Sequence, residues 1–254
     1  MSSIGQKLPN DMPRVLDPRL FTAKIPKDVI LFACASGGST KTHLVYFNDE
    51  CFVLADGLAS VPHADVASQL ASETVLWGYK QIRLRHTYWA DKTSLIRRIF
   101  RTTNLTIWQK HREPGFGDGL ATSLLVAIVG PRAVWIGNAG TSSAFFFKNG
   151  QLIRLTRQDT DEKGKVTKAL GFVRLGLAAQ NIHQKFVPPD TLLLVNDGIT
   201  HALDPRALAL LLKDVGTTQE RLSETARKIM VKAQKDGGGE NLAVCLIKRV
   251  ASLR

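Results

Sequence analysis

Two segments of this chain end alike: Phe52-Val-Leu-Ala-Asp56-Gly57 and Leu193-Leu-Val-Asn-Asp197-Gly198 are both apolar runs closing on Asp-Gly. Such a run reads as a buried strand, which aims its last residue at a fixed place, and glycine lets the backbone turn at once. Two carboxylates at one edge of packed sheets make an oxygen-ligand site suited to Mg²⁺ or Mn²⁺. A third acid, Glu240, follows Gly237-Gly238-Gly239 and directly precedes a last apolar run. Either Asp-Gly alone is an ordinary turn signal. The order and shared context of the three acids point to metal chemistry.

The elements that must position these acids follow from the apolar patterning. Strands are expected over Val29–Ala35, His43–Phe47, Cys51–Ala55, Leu124–Val129, Ala133–Ile136, Ala144–Phe147, Leu152–Leu155, Thr191–Val195 and Leu242–Ile247. Lys148-Asn149-Gly150 marks a hairpin, because Asn-Gly takes the positive φ of such turns. A helix begins near Pro62 with Val66, Leu70 and Trp77 inward, and a second spans Lys92–Lys110 with Leu95, Ile96, Ile99, Phe100 and Ile107 inward. Its other face carries Arg97, Arg98 and Arg101, read as solvated. Further helices cover Pro205–Lys213 and Gln219–Lys235, and Thr156–Lys168 reads as a mobile flap. Helices inserted in pairs among many strands argue for an α+β layered fold on antiparallel sheets. Prolines break residues 1–26 into an irregular lead-in, leaving 27–250 as one domain.

Composition narrows the function classes. Hydrophobic residues make up 44% and charged residues 22%, enough to bury a core. The formal charge of +12 favours acidic or phosphorylated partners. Nucleic acid is disfavoured, since no recognised motif or interleaved aromatics accompany the charge. Neither an apolar leader nor a membrane-spanning run is seen, and Cys34, Cys51 and Cys245 lack metal-site spacing. They read as free thiols of a reducing, cytoplasmic setting. Gly37-Gly-Ser-Thr-Lys-Thr42 lacks the spacing of a phosphate-binding P-loop.

A series of motifs carries a family resemblance. Phe52-Val-Leu-Ala-Asp56-Gly57-Leu-Ala-Ser with Val66-Ala-Ser68 resembles the "FxVADGMGG…VAS" signature of metal-dependent type 2C protein phosphatases. Leu120-Ala-Thr-Ser-Leu124 is similar to "MGTTL", Gly137 to Phe145 to "ANVGDSRAY", and Asn149 to Arg157 to "DGKLxxLTR". Val166-Thr-Lys-Ala-Leu-Gly171 resembles "ITRALG", Pro189 to Gly198 resembles "GDRLLLCSDGL", and Gly239-Glu-Asn-Leu-Ala-Val244 resembles "xDNITV". The motifs keep family order from about residue 28 to 248.

The resemblance implies a four-layer α/β/β/α sandwich, two antiparallel sheets flanked by helix pairs, carrying a two-metal phosphohydrolase. It makes Asp56 the bridging ligand with the Gly57 carbonyl beside it, and Asp197 and Glu240 the rest of one metal's shell. Other family positions are degenerate. Counted back from Asp56, the acidic "NED" falls on Ser39-Thr40-Lys41, and the phosphate-binding arginine on Ser36. The "GDSR" aspartate is Thr141 and its arginine Ser143; Val61 replaces a histidine, with His63 nearby. An ammonium at Lys41 would disfavour a second cation and pair with Asp56. Lys163, Lys165 and Lys168 could replace the lost arginine's charge. The expectation is one Mg²⁺ or Mn²⁺ ion, with no catalytic residue assigned. Two readings stay open: a serine/threonine phosphatase of weak or lost activity, and a pseudophosphatase module binding a phosphorylated or acidic protein.

Overall fold

Inward- and outward-facing residues alternate along β3 (Cys51–Gly57), the strand that ends on the first Asp-Gly. Cys51, Val53 and Ala55 pack under helices, while Phe52 and Leu54 pack against the opposite sheet. A strand covered on both faces must be apolar throughout, which is why its pattern reads as a continuous run. The computed structural model describes residues 28–38, 41–83, 91–117 and 119–251. The expected lead-in over 1–26 lies outside the described residues.

The other elements are β1 (Asp28–Gly38), β2 (Thr42–Phe47), α1 (Ala64–Arg83), α2 (Lys92–His111), β4 (Thr122–Val129), β5 (Ala133–Ala139), β6 (Ser143–Lys148), β7 (Gln151–Arg154), β8 (Gln180–Lys185), β9 (Thr191–Val195), α3 (Asp197–Ala202), α4 (Pro205–Leu212), α5 (Gln219–Lys235) and β10 (Asn241–Ala251). One sheet runs β1-β10-β9-β6-β7 and the other β2-β3-β4-β5-β8, with antiparallel neighbours throughout. One apolar cluster lies between α1/α2 and the second sheet, one between the sheets, and one between the first sheet and α3–α5. This is the expected α/β/β/α sandwich, with three helices instead of a pair on one side.

Several expectations change. β8, with the sequence QNIHQK, is a polar edge strand beside β5 that no apolar pattern announces. α3 begins at Asp197, so the second Asp-Gly opens a short helix. Trp77, expected inward, is 67% exposed; α1 instead buries Ala64, Ala67, Ser68, Ala71, Ser72, Val75 and Tyr79. The Asn149-Gly150 hairpin holds, with both residues at positive φ. In the 156–168 segment Asp161 forms a turn, donating its N–H to Lys165 and accepting that of Gly164.

Cys34 and Cys245 face each other across the β1–β10 ladder with Cα atoms 4.1 Å apart and are joined as a disulfide, leaving Cys51 free and buried. The expectation of three free thiols is corrected for this pair, which lies 211 residues apart in sequence and meets only through the ladder register. Among the described residues no helix is long and apolar enough to cross a membrane.

Candidate metal centre

The two-residue period of the strands places the site. On β3, Asp56 continues the inter-sheet row of Phe52 and Leu54; on β9, Asn196 follows Leu192 and Leu194 of that same layer. Thr42 precedes Leu44 and Tyr46, and Asn241 precedes Ala243, Cys245 and Ile247, again in the layer between the sheets. Four polar residues from both sheets therefore converge at one end of the sandwich.

Asp56 is 3% exposed and fully engaged. Its Oδ1 accepts the Thr42 hydroxyl at 2.5 Å and the Asn241 amide Nδ2 at 2.9 Å, and its Oδ2 accepts Asn196 Nδ2 at 3.3 Å. The Thr42 hydroxyl also lies in hydrogen-bond contact with Asn241 Oδ1. Asn196 is locked in place: its Nδ2 donates to the Asn241 carbonyl at 2.8 Å, and its Oδ1 accepts the Ala243 N–H at 3.0 Å. Asn196 is the N-cap of α3 but makes no side-chain cap bond, its amide being directed to this network instead. Burial, and secondarily the charge of Asp197, pushes the Asp56 carboxyl up to about 6; the bonds from Thr42, Asn241 and Asn196 pull it down without cancelling that rise.

Asp197, half-buried in the first turn of α3, thus stands close enough to act on Asp56. Gly57 is fully buried, and its N–H donates to the Lys41 carbonyl at 2.8 Å. It must be glycine because a Cβ there would lie 2.1 Å from the Ala64 carbonyl oxygen, where α1 begins. Gly198 is likewise constrained, its Cβ position being 2.4 Å from the Asn241 carbonyl. The two Asp-Gly glycines therefore let helix and strand backbone approach the acids closely.

Glu240 is exposed at the start of β10, and the described residues contain no group of three His, Cys, Asp or Glu side chains able to hold a metal. The structure brings Asp56 and Asp197 close enough to interact, and Glu240 adjoins Asn241, whose amide bonds Asp56. Ser36 lies half-buried on β1 opposite Ala243. Thr40 lies outside the described residues. The residue facing Asp56 across the β2–β3 ladder is Thr42, one beyond Lys41. Thr141 is buried, and both its N–H and its hydroxyl meet Ser123 Oγ, at 3.0 and 3.1 Å; Ser123 is the ladder partner of Asp56. Lys168 is paired with Asp159 at 3.2 Å, and His63 meets Phe116 edge-on.

Sequence reasoning missed Thr42, Asn196 and Asn241. A signal existed for the two asparagines, each adjacent to a candidate acid and in step with an inward-facing strand row. As a donor set, Asp56, Asp197 and the Gly57 carbonyl oxygen are hard ligands. The Asp56 carboxyl is raised first by burial and then by the charge of Asp197, and a cation beside it would offset both. These residues are of the type that holds a divalent cation.

Fold and centre together define a phosphatase-type sandwich, and the chain belongs to the protein phosphatase 2C family, whose model matches residues 42–243. It is similar to the serine/threonine phosphatase stp of Listeria monocytogenes serovar 1/2a, 28% identical over 229 residues covering 80% of this chain and 85% of that one. In fold it resembles the Mycobacterium tuberculosis serine/threonine phosphatase PstP/Ppp, with a TM-score of 0.73, 17% identity and coverage of 86% of this chain and 98% of that one. It also resembles the PstP catalytic domain in complex with 2 manganese ions, with a TM-score of 0.73, 18% identity and coverage of 88% and 99%.

Proposed function

We propose that this chain is a metal-dependent serine/threonine phosphoprotein phosphatase of low turnover, whose centre holds one divalent cation, Mg²⁺ or Mn²⁺, on Asp56, Asp197 and the Gly57 carbonyl. The observation that carries this reading is the buried Asp56 carboxyl, held by three hydrogen bonds where the sheets meet and close enough to Asp197 to feel its charge. When bound, the cation supplies a water made acidic enough to act as nucleophile and offsets charge on the phosphoryl oxygens. The chain's own part is orientation: Thr42, Asn196 and Asn241 fix both oxygens of Asp56. Turnover is low because Ser36, Thr141 and Ser143 are uncharged where the family resemblance expects arginines and an acid, Lys41 stands where it expects a carboxylate, and Lys168 of the flap is engaged by Asp159.

A second reading, a pseudophosphatase module binding a phosphorylated or acidic protein, is favoured by that same neutral network, which satisfies Asp56 with no metal at all. Cytoplasmic localisation belongs to the proposal as well, though its cysteine argument falls with the Cys34–Cys245 disulfide.

The readings separate in an assay of Mn²⁺-dependent hydrolysis of p-nitrophenyl phosphate and a phosphothreonine peptide, comparing wild type with Asp56→Ala. The enzyme reading expects wild type to exceed the variant by about a hundredfold or more, the scale of losing a metal-site group. Equal rates would leave the binding module.

A further inference from the structure

The strongest exposed apolar feature lies in the long connection between β7 and β8, just beyond Leu170, which bridges Thr122. Phe172, Val173 and Leu175 are 44%, 46% and 61% exposed in one four-residue stretch. Exposed apolar side chains gathered in this way mark contact surfaces when the backbone holds them out rigidly. Here it does. Asn104 of α2, itself buried, accepts the Gly171 N–H at 2.9 Å and donates to the carbonyls of Val173 at 2.8 Å and Arg174 at 3.2 Å. One buried amide thus spends its bonding capacity on fixing this loop.

The same surface is basic with little compensation. Arg97, Arg98, Arg101 and Lys110 stand on the accessible side of α2, which contains no acid, while Lys92 is buried over Trp135. Arg101 and Arg97 lie one and two turns before Asn104, and Trp108 lies one turn after it, so they share a stripe. The guanidinium groups of Arg112 and Arg174 stand over the Trp108 ring at 5.0 and 5.2 Å, tying loop and helix together. Among the described residues, Asp91 lies near Arg97 at the start of the helix and Glu113 pairs with Lys110 at its end. On α5, by contrast, Lys228 pairs with Glu224 and Lys232 with Asp236, leaving a largely self-neutralised face.

We infer that α2 and the 172–175 loop form a docking surface for an acidic protein segment bearing apolar side chains. Phe172, Val173 and Leu175 take the apolar groups, and Arg101 and Arg174 meet the carboxylates. A protein occupant suits a chain of the protein phosphatase 2C family, whereas an anionic membrane, which also takes apolar side chains beside arginines, and nucleic acid are the outcomes that would overturn the reading.

The test is fluorescence anisotropy of a labelled peptide of alternating Glu and Leu, titrated with the full chain. Three variants are compared: Phe172→Ser with Leu175→Ser, Arg101→Glu with Arg174→Glu, and Asp56→Ala. The surface predicts affinity about tenfold weaker in each double variant, with unchanged melting curves and unchanged binding by Asp56→Ala. The last arm separates docking from the metal centre, so loss of phosphatase activity alone leaves this inference standing. Wild-type affinity in both double variants would overturn it. So would binding to phosphatidylserine vesicles or duplex DNA with none to the peptide.

Discussion

Asp56→Asn is expected to stabilise the metal-free protein at about pH 8 while removing metal-dependent hydrolysis. The Asp56 carboxyl ordinarily titrates at 3.8 and is pushed up to about 6 in the fold, first by burial and then by Asp197. Between those values the folded state keeps a proton that the unfolded chain has lost, so stability falls as pH rises through the window. The penalty is absent below about pH 4, complete above about pH 6, and at about 1.4 kcal/mol per unit amounts to roughly 3 kcal/mol. Asparagine carries no such penalty. It does set an NH₂ group against Asn196 Nδ2, which cannot flip because its Oδ1 holds the Ala243 N–H. The donor conflict, about 1–2 kcal/mol, offsets part of that gain, so the expected direction is a higher melting temperature for the variant at alkaline pH. Melting wild type and variant in EDTA at acid and alkaline pH checks this. The variant should lead only at the alkaline end, and a pH-independent gap would contradict the assignment of burial and Asp197 as the cause.

Gly57→Ala should be the most damaging single-methyl addition near the site. Its Cβ would lie 2.1 Å from the carbonyl oxygen of Ala64, 2.5 Å from that carbonyl's carbon and 2.9 Å from Ala64 Cβ. The first two are backbone atoms, so no rotamer change relieves the overlap. Either the first turn of α1 lifts off the sheet, or the end of β3 buckles and carries Asp56 with it. Forced repacking of this kind costs about 3 kcal/mol or more, and activity should fall with it. Gly78→Ala on the same helix is the control. Nothing lies within 4 Å of its Cβ position, and helix propensity favours alanine by about 1 kcal/mol. Chemical denaturation of both variants should move in opposite directions; equal midpoints would contradict the close approach of α1 to β3.

Part of this arrangement is legible in the sequence because it depends on local pattern. Asp56 and Asp197 end apolar runs, and a buried strand followed by glycine leaves such an acid few places to go. The layer order also follows, since two helices fall between β3 and β4 and more fall between β9 and β10. What stayed hidden depends on tertiary proximity. Thr42, Asn196 and Asn241 become partners of Asp56 only when two sheets stack in one particular register. The inward face of α1 was misread for a related reason. Because that helix lies so close to β3, its buried stripe is built of alanines and serines, and the large Trp77 stays outside. Hydrophobicity alone ranks Trp77 above Ala67, whereas available space ranks them the other way. β8 is an edge strand with polar residues on view, so it carries no apolar alternation to detect.

The central claim is a centre with carboxylates for one cation. The most direct test is calorimetric titration of Mn²⁺ into the metal-free protein. The account predicts about one ion bound per chain, lost in both Asp56→Ala and Asp197→Ala. Two tightly bound ions per chain, or undiminished binding by Asp56→Ala, would contradict it.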